Sequence, residues 1–292
     1  MGVRKFFSLF LVLCFFCALQ SPLEVFAGAA GNRFRSDVIS SDTRWDADRY
    51  LTSDVVVGTG ATLTITEGVV ISARSDIPDA HPSPLGYSQR IEIIVDLGGR
   101  LEIEPGATLT ALTDAGWGGI IFLAGSFGKI DGAVIRRAAR GILVEDASPV
   151  IKNSRLEQLE GDDAIASGAP GMPAVGILVS GARAAPQIKA NVITQLKGGN
   201  GAAGLDGLGG MALQPGAPGQ GGQSGGRGGD AYGIMVQNDA FPEVFENIID
   251  NIYSGSGGDG GAGGDGGIGV AGVHPPGDGG VGGNGGRGGN VG

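Results

Sequence analysis

The side chains that could do chemistry recur at one kind of place. Glu145 and Asp146 follow a Gly-Ile-x-Val tetrad, and Asp239 follows another. Carboxylates on adjacent turns are what a polysaccharide lyase or hydrolase uses as acid and base, and what a calcium ion takes as ligands. The copy between them carries Ser180 and Gly181 there, so the carboxylates are not continuous. A solvated turn is the ordinary reading, with calcium binding or catalysis the chemical one. Trp117, in "DAGWGGIIF", and Trp45 are the rings that could stack on sugars. Burial in a core or cap is the commoner use of such rings.

Other chemistries lack their residues. The chain has two cysteines and two histidines. Cys14 and Cys17 lie within residues 1–27, where Arg4 and Lys5, an apolar run and Ala27 have the pattern of a secretory signal peptide. The exported chain would then have no disulfide and no thiolate site. With His81 and His274 as its imidazoles, histidine-based triads and multi-histidine zinc sites are disfavoured. A net charge of -10 argues against nucleic-acid and phosphate binding.

The elements that position these residues are repeats. Segments from Gly141, Gly176 and Gly233 each open Gly-Ile-x-Val and reach Pro149, Pro186 or Pro242. Counted from that proline, the second residue is Ile151, Ile188 or Val244, the seventh Leu156, Ile193 or Ile249, and the tenth Leu159, Leu196 or Ile252. The fifth is Ser154, Asn191 or Asn247, which suits an inward polar ladder at a bend, since Asn tolerates left-handed backbone. A fainter copy starts at Gly119, with Gly128 in the proline position. Upstream, "GATLTITEGVVI" and "GGRLEIEPGATL" match Leu63 with Leu101, Ile65 with Ile103 and Gly68 with Gly106. Short alternating, β-branched pieces between turn residues predict strands, and a repeat that cannot bury its own apolar side must stack.

The segments "RWDADRYLTSDVVVGTGATLTITEGVVI", "GGRLEIEPGATLTA" and "SPVIKNS" resemble the bacterial right-handed parallel β-helix repeat proteins of pectate-lyase-like architecture. The resemblance covers roughly residues 38–255. It implies an all-β, right-handed parallel β-helix and leaves function open, because that fold hosts lyases, hydrolases, adhesins and inert stalks. The expected organisation is a signal peptide over 1–27, an N-terminal region and solenoid cap over 28–59, a β-helix over 60–254 and a glycine-rich insertion over 255–292. Further insertions interrupt the helix at 161–175 and 198–231.

Within the insertions glycine recurs every third residue, as at Gly198, Gly201 and Gly204, and again at Gly257, Gly260 and Gly263. That is the polyproline II period. Prolines are too few for collagen. The triplets resemble the polyproline II bundles of glycine-rich antifreeze proteins and phage adhesins, and predict arms that run out, turn near a proline and return. Floppy arms are the alternative, since glycine loses the most backbone entropy on ordering. The ending "GGRGGNVG" repeats "GGRGGDAYG", which closes the previous insertion, so the sequence predicts a frame that continues into another coil.

These residues point to a secreted or surface-displayed bacterial scaffold or adhesin with no catalysis in this chain. Its expected partners are glycans, cell-surface components or neighbouring copies. No cofactor is implied beyond calcium at Glu145, Asp146 or Asp239. The alternatives are a polysaccharide lyase or glycoside hydrolase and, more weakly, an ice-binding protein. The last needs a threonine rank, but Thr62, Thr64 and Thr66 align with Arg100, Glu102 and Glu104.

Overall fold

The computed structural model describes residues 37–74, 88, 90–210, 217–268 and 275–292. The signal segment, His81, His274 and Pro215 lie outside these residues. Twenty-one strands and no helix make up the regular structure of the described residues. They form three parallel seven-stranded sheets, each built from every third strand in chain order. Each run of three strands therefore makes one coil. Coil 1 holds β1 (Asp37–Ile39), β2 (Thr43–Trp45) and β3 (Arg49–Leu51), and coil 7 holds β19 (Ala231–Gln237), β20 (Glu243–Phe245) and β21 (Ile248–Tyr253). The arrangement is consistent with a parallel β-helix. Coil 1 falls within the segment read from sequence as a cap.

Register follows the apolar ladders. Ile71, Leu109, Ile135, Leu156, Ile193 and Ile249 make one column in the third sheet, through β6 (Val70–Ala73), β9 (Thr108–Ala111), β12 (Val134–Arg136), β15 (Arg155–Glu160), β18 (Val192–Lys197) and β21. A one-residue slip would turn every one of these side chains outward, so burial fixes the pairing. The first sheet reads as continuous apolar runs, such as "GIIF" and "GILV", because both its faces are buried.

Left-handed residues make the corners. In the second corner they are Gly68, Gly106 and Gly132, then Asn153, Ala190 and Glu246, with φ between 53° and 79°. The last three immediately precede Ser154, Asn191 and Asn247, so the bend sits one residue earlier than the sequence reading placed it. A second row, Arg137, Gln158, Gln195 and Asn251, has φ of 50–58° in the third sheet. That reversal lets Leu156 and Leu159, three apart, both point inward, and explains the Ile-x-x-Leu spacing.

The glycine-rich segments are hydrogen-bonded throughout their described lengths. Segments 161–168, 198–210 and 254–268 leave coils 5, 6 and 7, and segments 169–173, 217–230 and 275–290 return. Gly198, Gly201, Gly204, Gly207 and Gly210 donate to Tyr253, Ser256, Asp259, Ala262 and Asp265 at 2.7–2.8 Å, a parallel ladder with a three-residue step. The return segment of coil 6 runs antiparallel with the same step: Gln220, Gln223, Gly226 and Gly229 donate to Leu208, Leu205, Ala202 and Gly199. Glycine is required by the close approach. A Cβ on Gly225 would lie 2.0 Å from the Gly258 carbonyl oxygen.

Candidate functional site

The third sheet carries a lateral groove beneath the roots of the glycine segments. A cavity of about 460 Å³ there is lined by Arg90, Asp114, Arg137, Glu160, Asp162 and Asp163, among others. The left-handed row aims Gln158, Gln195 and Asn251 away from the core, and a second cavity of about 440 Å³ runs beside them with Tyr253. Neighbouring strands are about 4.8 Å apart, so these amides form an evenly spaced polar rank. Such a rank can hydrogen-bond the hydroxyls of an extended sugar chain.

The charges in the groove are already partnered. Arg90 pairs with Asp162, and Arg137 with Asp114 at 3.7 Å. Glu160 accepts from Lys197 at 2.7 Å, which raises the lysine pKa mainly through that hydrogen bond. Asp163 accepts the Asn200 N–H at 2.6 Å. Every carboxylate lining the cavity is therefore committed to a cation or a backbone donor. Binding by shape and hydrogen bonding fits this better than acid–base work, which needs a carboxylate poised to exchange a proton.

The residues singled out from sequence lie elsewhere. Asp146 has left-handed φ and accepts the Arg183 N–H of the next coil at 2.9 Å. Asp239 also has left-handed φ, and it is exposed two coils further on. Two strand spacings amount to about 10 Å, beyond what one calcium ion spans with ligands at about 2.5 Å. Glu145 pairs in register with Ser180, and Ser180 with Gln237, so no carboxylate row forms there. No cluster of three or more His, Cys, Asp or Glu side chains that could hold a metal occurs among the described residues. Trp117 is 1% exposed, and its indole N–H donates to the Arg136 carbonyl at 3.0 Å. Its ring lies in the core cluster with no face free for a sugar. Trp45 is buried too, with the Arg49 guanidinium 5.0 Å above the ring.

Ser154, Asn191 and Asn247 form a continuous ladder. Asn191 accepts the Ser154 N–H at 3.0 Å through Oδ1, and Asn247 accepts the Asn191 N–H at 2.9 Å. The Asn191 side-chain amide donates in turn to the Ile151 carbonyl. Asn191 is fully buried, so these bonds satisfy groups that water cannot reach.

Two further groups hold ion pairs outside the groove. Asp131 sits between Lys129 at 3.0 Å and Lys152 at 3.3 Å and accepts from Asn153. Burial raises its pKa, but Asn153 and the two lysines outweigh that and hold it below 3.8. Asp230 joins the roots of two return segments: it accepts the Asn290 N–H at 2.6 Å and the Tyr232 hydroxyl at 3.1 Å, and it pairs with Arg227. Burial again raises the value, and Asn290, Tyr232 and Arg227 carry it below 3.8. Asp230 sits in "GGRGGDAYG", read from sequence only as the close of an insertion. The repetition of that motif as "GGRGGNVG" was the available signal. No family model, curated protein or solved structure matches this chain.

Proposed function

We propose that the protein is a secreted or cell-surface scaffold, a right-handed parallel β-helix that displays a lateral bundle of polyproline II arms and performs no catalysis in this chain. The observation that carries this reading is the layered hydrogen-bond ladder of the glycine-rich segments. Three successive coils each send out one pair, and each pair donates to its neighbours at every third residue. Right-handed crossovers are the rule for parallel strands, in about 98% of cases. A hydrogen-bonded array with a three-residue step fits polyproline II geometry, which has three residues per turn and no internal hydrogen bonds. So large an ordered lateral structure contributes nothing to the core of the coils, and display is the use it fits. Glycans and cell-surface components are the partners proposed, with the Gln158–Gln195–Asn251 groove as the contact for an extended glycan.

Binding of the whole exported chain to a panel of bacterial and host surface glycans tests this. The reading expects retained binding that Gln158→Ala with Gln195→Ala weakens. Absence of binding to every glycan and to intact cells would overturn it.

The groove also favours a second reading, a carbohydrate-active enzyme of pectate-lyase-like kind, because cations and carboxylates line its cavity together. Release of unsaturated or reducing-end sugars from polyuronates would establish that reading against the first.

A further inference from the structure

The cavity lined by Arg90 lies inside the stack, with further coils on both sides of it. Arg90 leads into β7 (Glu92–Val95) of coil 3, and Asp114 and Gly116 join coil 3 to coil 4. Arg137 follows β12 of coil 4, and Gln158 and Glu160 belong to β15 of coil 5. Asp162 and Asp163 stand where the first glycine segment leaves coil 5. Gln158 and Glu160 also line the second cavity, so the amide rank and this cluster of charges meet in one groove.

The charges in the lining are not presented equally. Four carboxylates and two guanidinium groups share it. The guanidinium groups lie in the walls. Arg90 pairs with Asp162 and has 24% of its side chain exposed, and a Cβ on Gly116 would lie 2.6 Å from its Nη1. Arg137, paired with Asp114, is 41% exposed. The carboxylates reach further into solvent: Asp114 is 97% exposed, Glu160 55% and Asp162 50%. Asp163 is exposed as well, and it accepts the Asn200 N–H.

That asymmetry says which glycan fits. An ionised carboxylate has about four acceptor sites, so one that holds a single cation or N–H still accepts from a ligand. The neighbouring cations do not reverse the balance. Lys197 is bound to Glu160 at 2.7 Å, Arg155 lies 2.5 Å from Glu157, and Arg136 pairs in register with Glu157. Arg140, at the start of β13 (Arg140–Glu145), is outside the lining. A polyuronate would set a carboxylate on each unit against this rim, where like charges repel. An ammonium brings three N–H donors to the remaining acceptor sites, and its charge matches the rim.

We propose that the groove takes an extended glycan with free amino groups, an amino-sugar polymer lacking its N-acyl groups. Gln158 and Gln195 hold its hydroxyls, and Asp114, Glu160 and Asp163 hold its ammonium groups. This rests on the groove being a glycan contact, and it names the class of glycan. The carboxylates are exposed, so each ion pair adds a modest factor, and the selectivity is a ratio of affinities rather than all or none.

The test titrates the whole chain by calorimetry with three oligosaccharides of equal length, at mildly acidic pH, where sugar amines carry their proton. They are a glucosamine oligomer, its N-acetylated form and an oligogalacturonate. The glucosamine oligomer should bind about fivefold or more tighter than the N-acetylated form, the worth of one or two exposed ion pairs, and added salt should shrink that ratio. The oligogalacturonate should bind weakest. Asp114→Asn with Asp163→Asn, which keeps the size and an acceptor oxygen at both sites, should bring the ratio near unity, whereas Gln158→Ala should weaken both sugars alike. An N-acetylated or uronate oligomer that binds as tightly as the glucosamine oligomer overturns the proposal, as does a ratio that survives the double variant. In either case a loss of binding in Gln158→Ala would keep the groove as a glycan contact. Binding of none of the three overturns the proposal, and the broader glycan panel then decides the underlying reading separately.

Discussion

The β coils and the glycine arms solve one packing problem with opposite materials. In the coils, Leu156, Ile193 and their column neighbours fill the interior with side chains, and the backbone pairs within the sheets and at the corners between them. In the arms, backbone approaches backbone. Gly226, Gly258 and Gly286 occupy places where a Cβ would lie about 2 Å from a carbonyl of a neighbouring segment. The coils bury hydrocarbon, and the arms bury peptide groups whose hydrogen bonds must then be satisfied. A single coil position tolerates any side chain of suitable volume, whereas an inner arm position tolerates only hydrogen.

The largest effect should come from the coil side. Ile193→Ala removes a fully buried side chain between Leu156 and Ile249, and should cost about 2–5 kcal/mol by denaturant titration. Ile249→Ala, on the half-exposed outer coil, should cost less than half of that. Equal costs would mean that coil 7 is covered in solution.

On the arm side, Gly225→Ala should cost about 1–3 kcal/mol through the clash with Gly258, and should disorder the arms before the coils. Gly285→Ala, where a Cβ would meet nothing closer than 3.9 Å, should stay within about 0.5 kcal/mol. A neutral Gly225→Ala would break the comparison.

Asn191→Ala should cost about 1–3 kcal/mol, because the Ser154 N–H and Ile151 carbonyl lose their buried partner. A conservative Asn191→Ser should recover part of the loss.

The smallest effect is on pH dependence. Asp131 and Asp230 have folded pKa values below the ordinary 3.8, so their contribution is present above that value and lost as pH falls through the folded value. Stability should therefore be flat from neutral pH to about 5 and decline below about 4. Asp230→Asn should flatten that decline and raise amide exchange at the arm roots, whereas Asp131→Asn should flatten it without touching the arms. An unchanged acid limb in both variants would contradict the assignment.

Much of the architecture was legible because stacking imposes it residue by residue. The alignments of Ile151 with Ile188, Leu156 with Ile193 and Leu63 with Leu101 are the pairing registers themselves. Coils 1 and 2 were harder to separate, since "VVV" of β4 (Val55–Val57) carries no alternation and no Gly-Ile tetrad. The groove was not legible. Arg90 and Asp114 lie in irregular connections, Asp162 at the root of a glycine segment, and only the folding of three different coils brings them together. Trp117 offered a ring that the sequence could assign to sugar stacking or to burial, and only the fold shows it 1% exposed.

Residue-resolved amide hydrogen exchange tests the ordered bundle most directly. Within 254–268, Gly258, Gly261 and Gly264 donate to Gly226, Gln223 and Gln220, whereas Gly257, Gly260 and Gly263 have no acceptor among the described residues. The account predicts protection that repeats every third amide, slow at the first three and fast at the second three. Uniform millisecond exchange across 200–210 and 257–268 would contradict it.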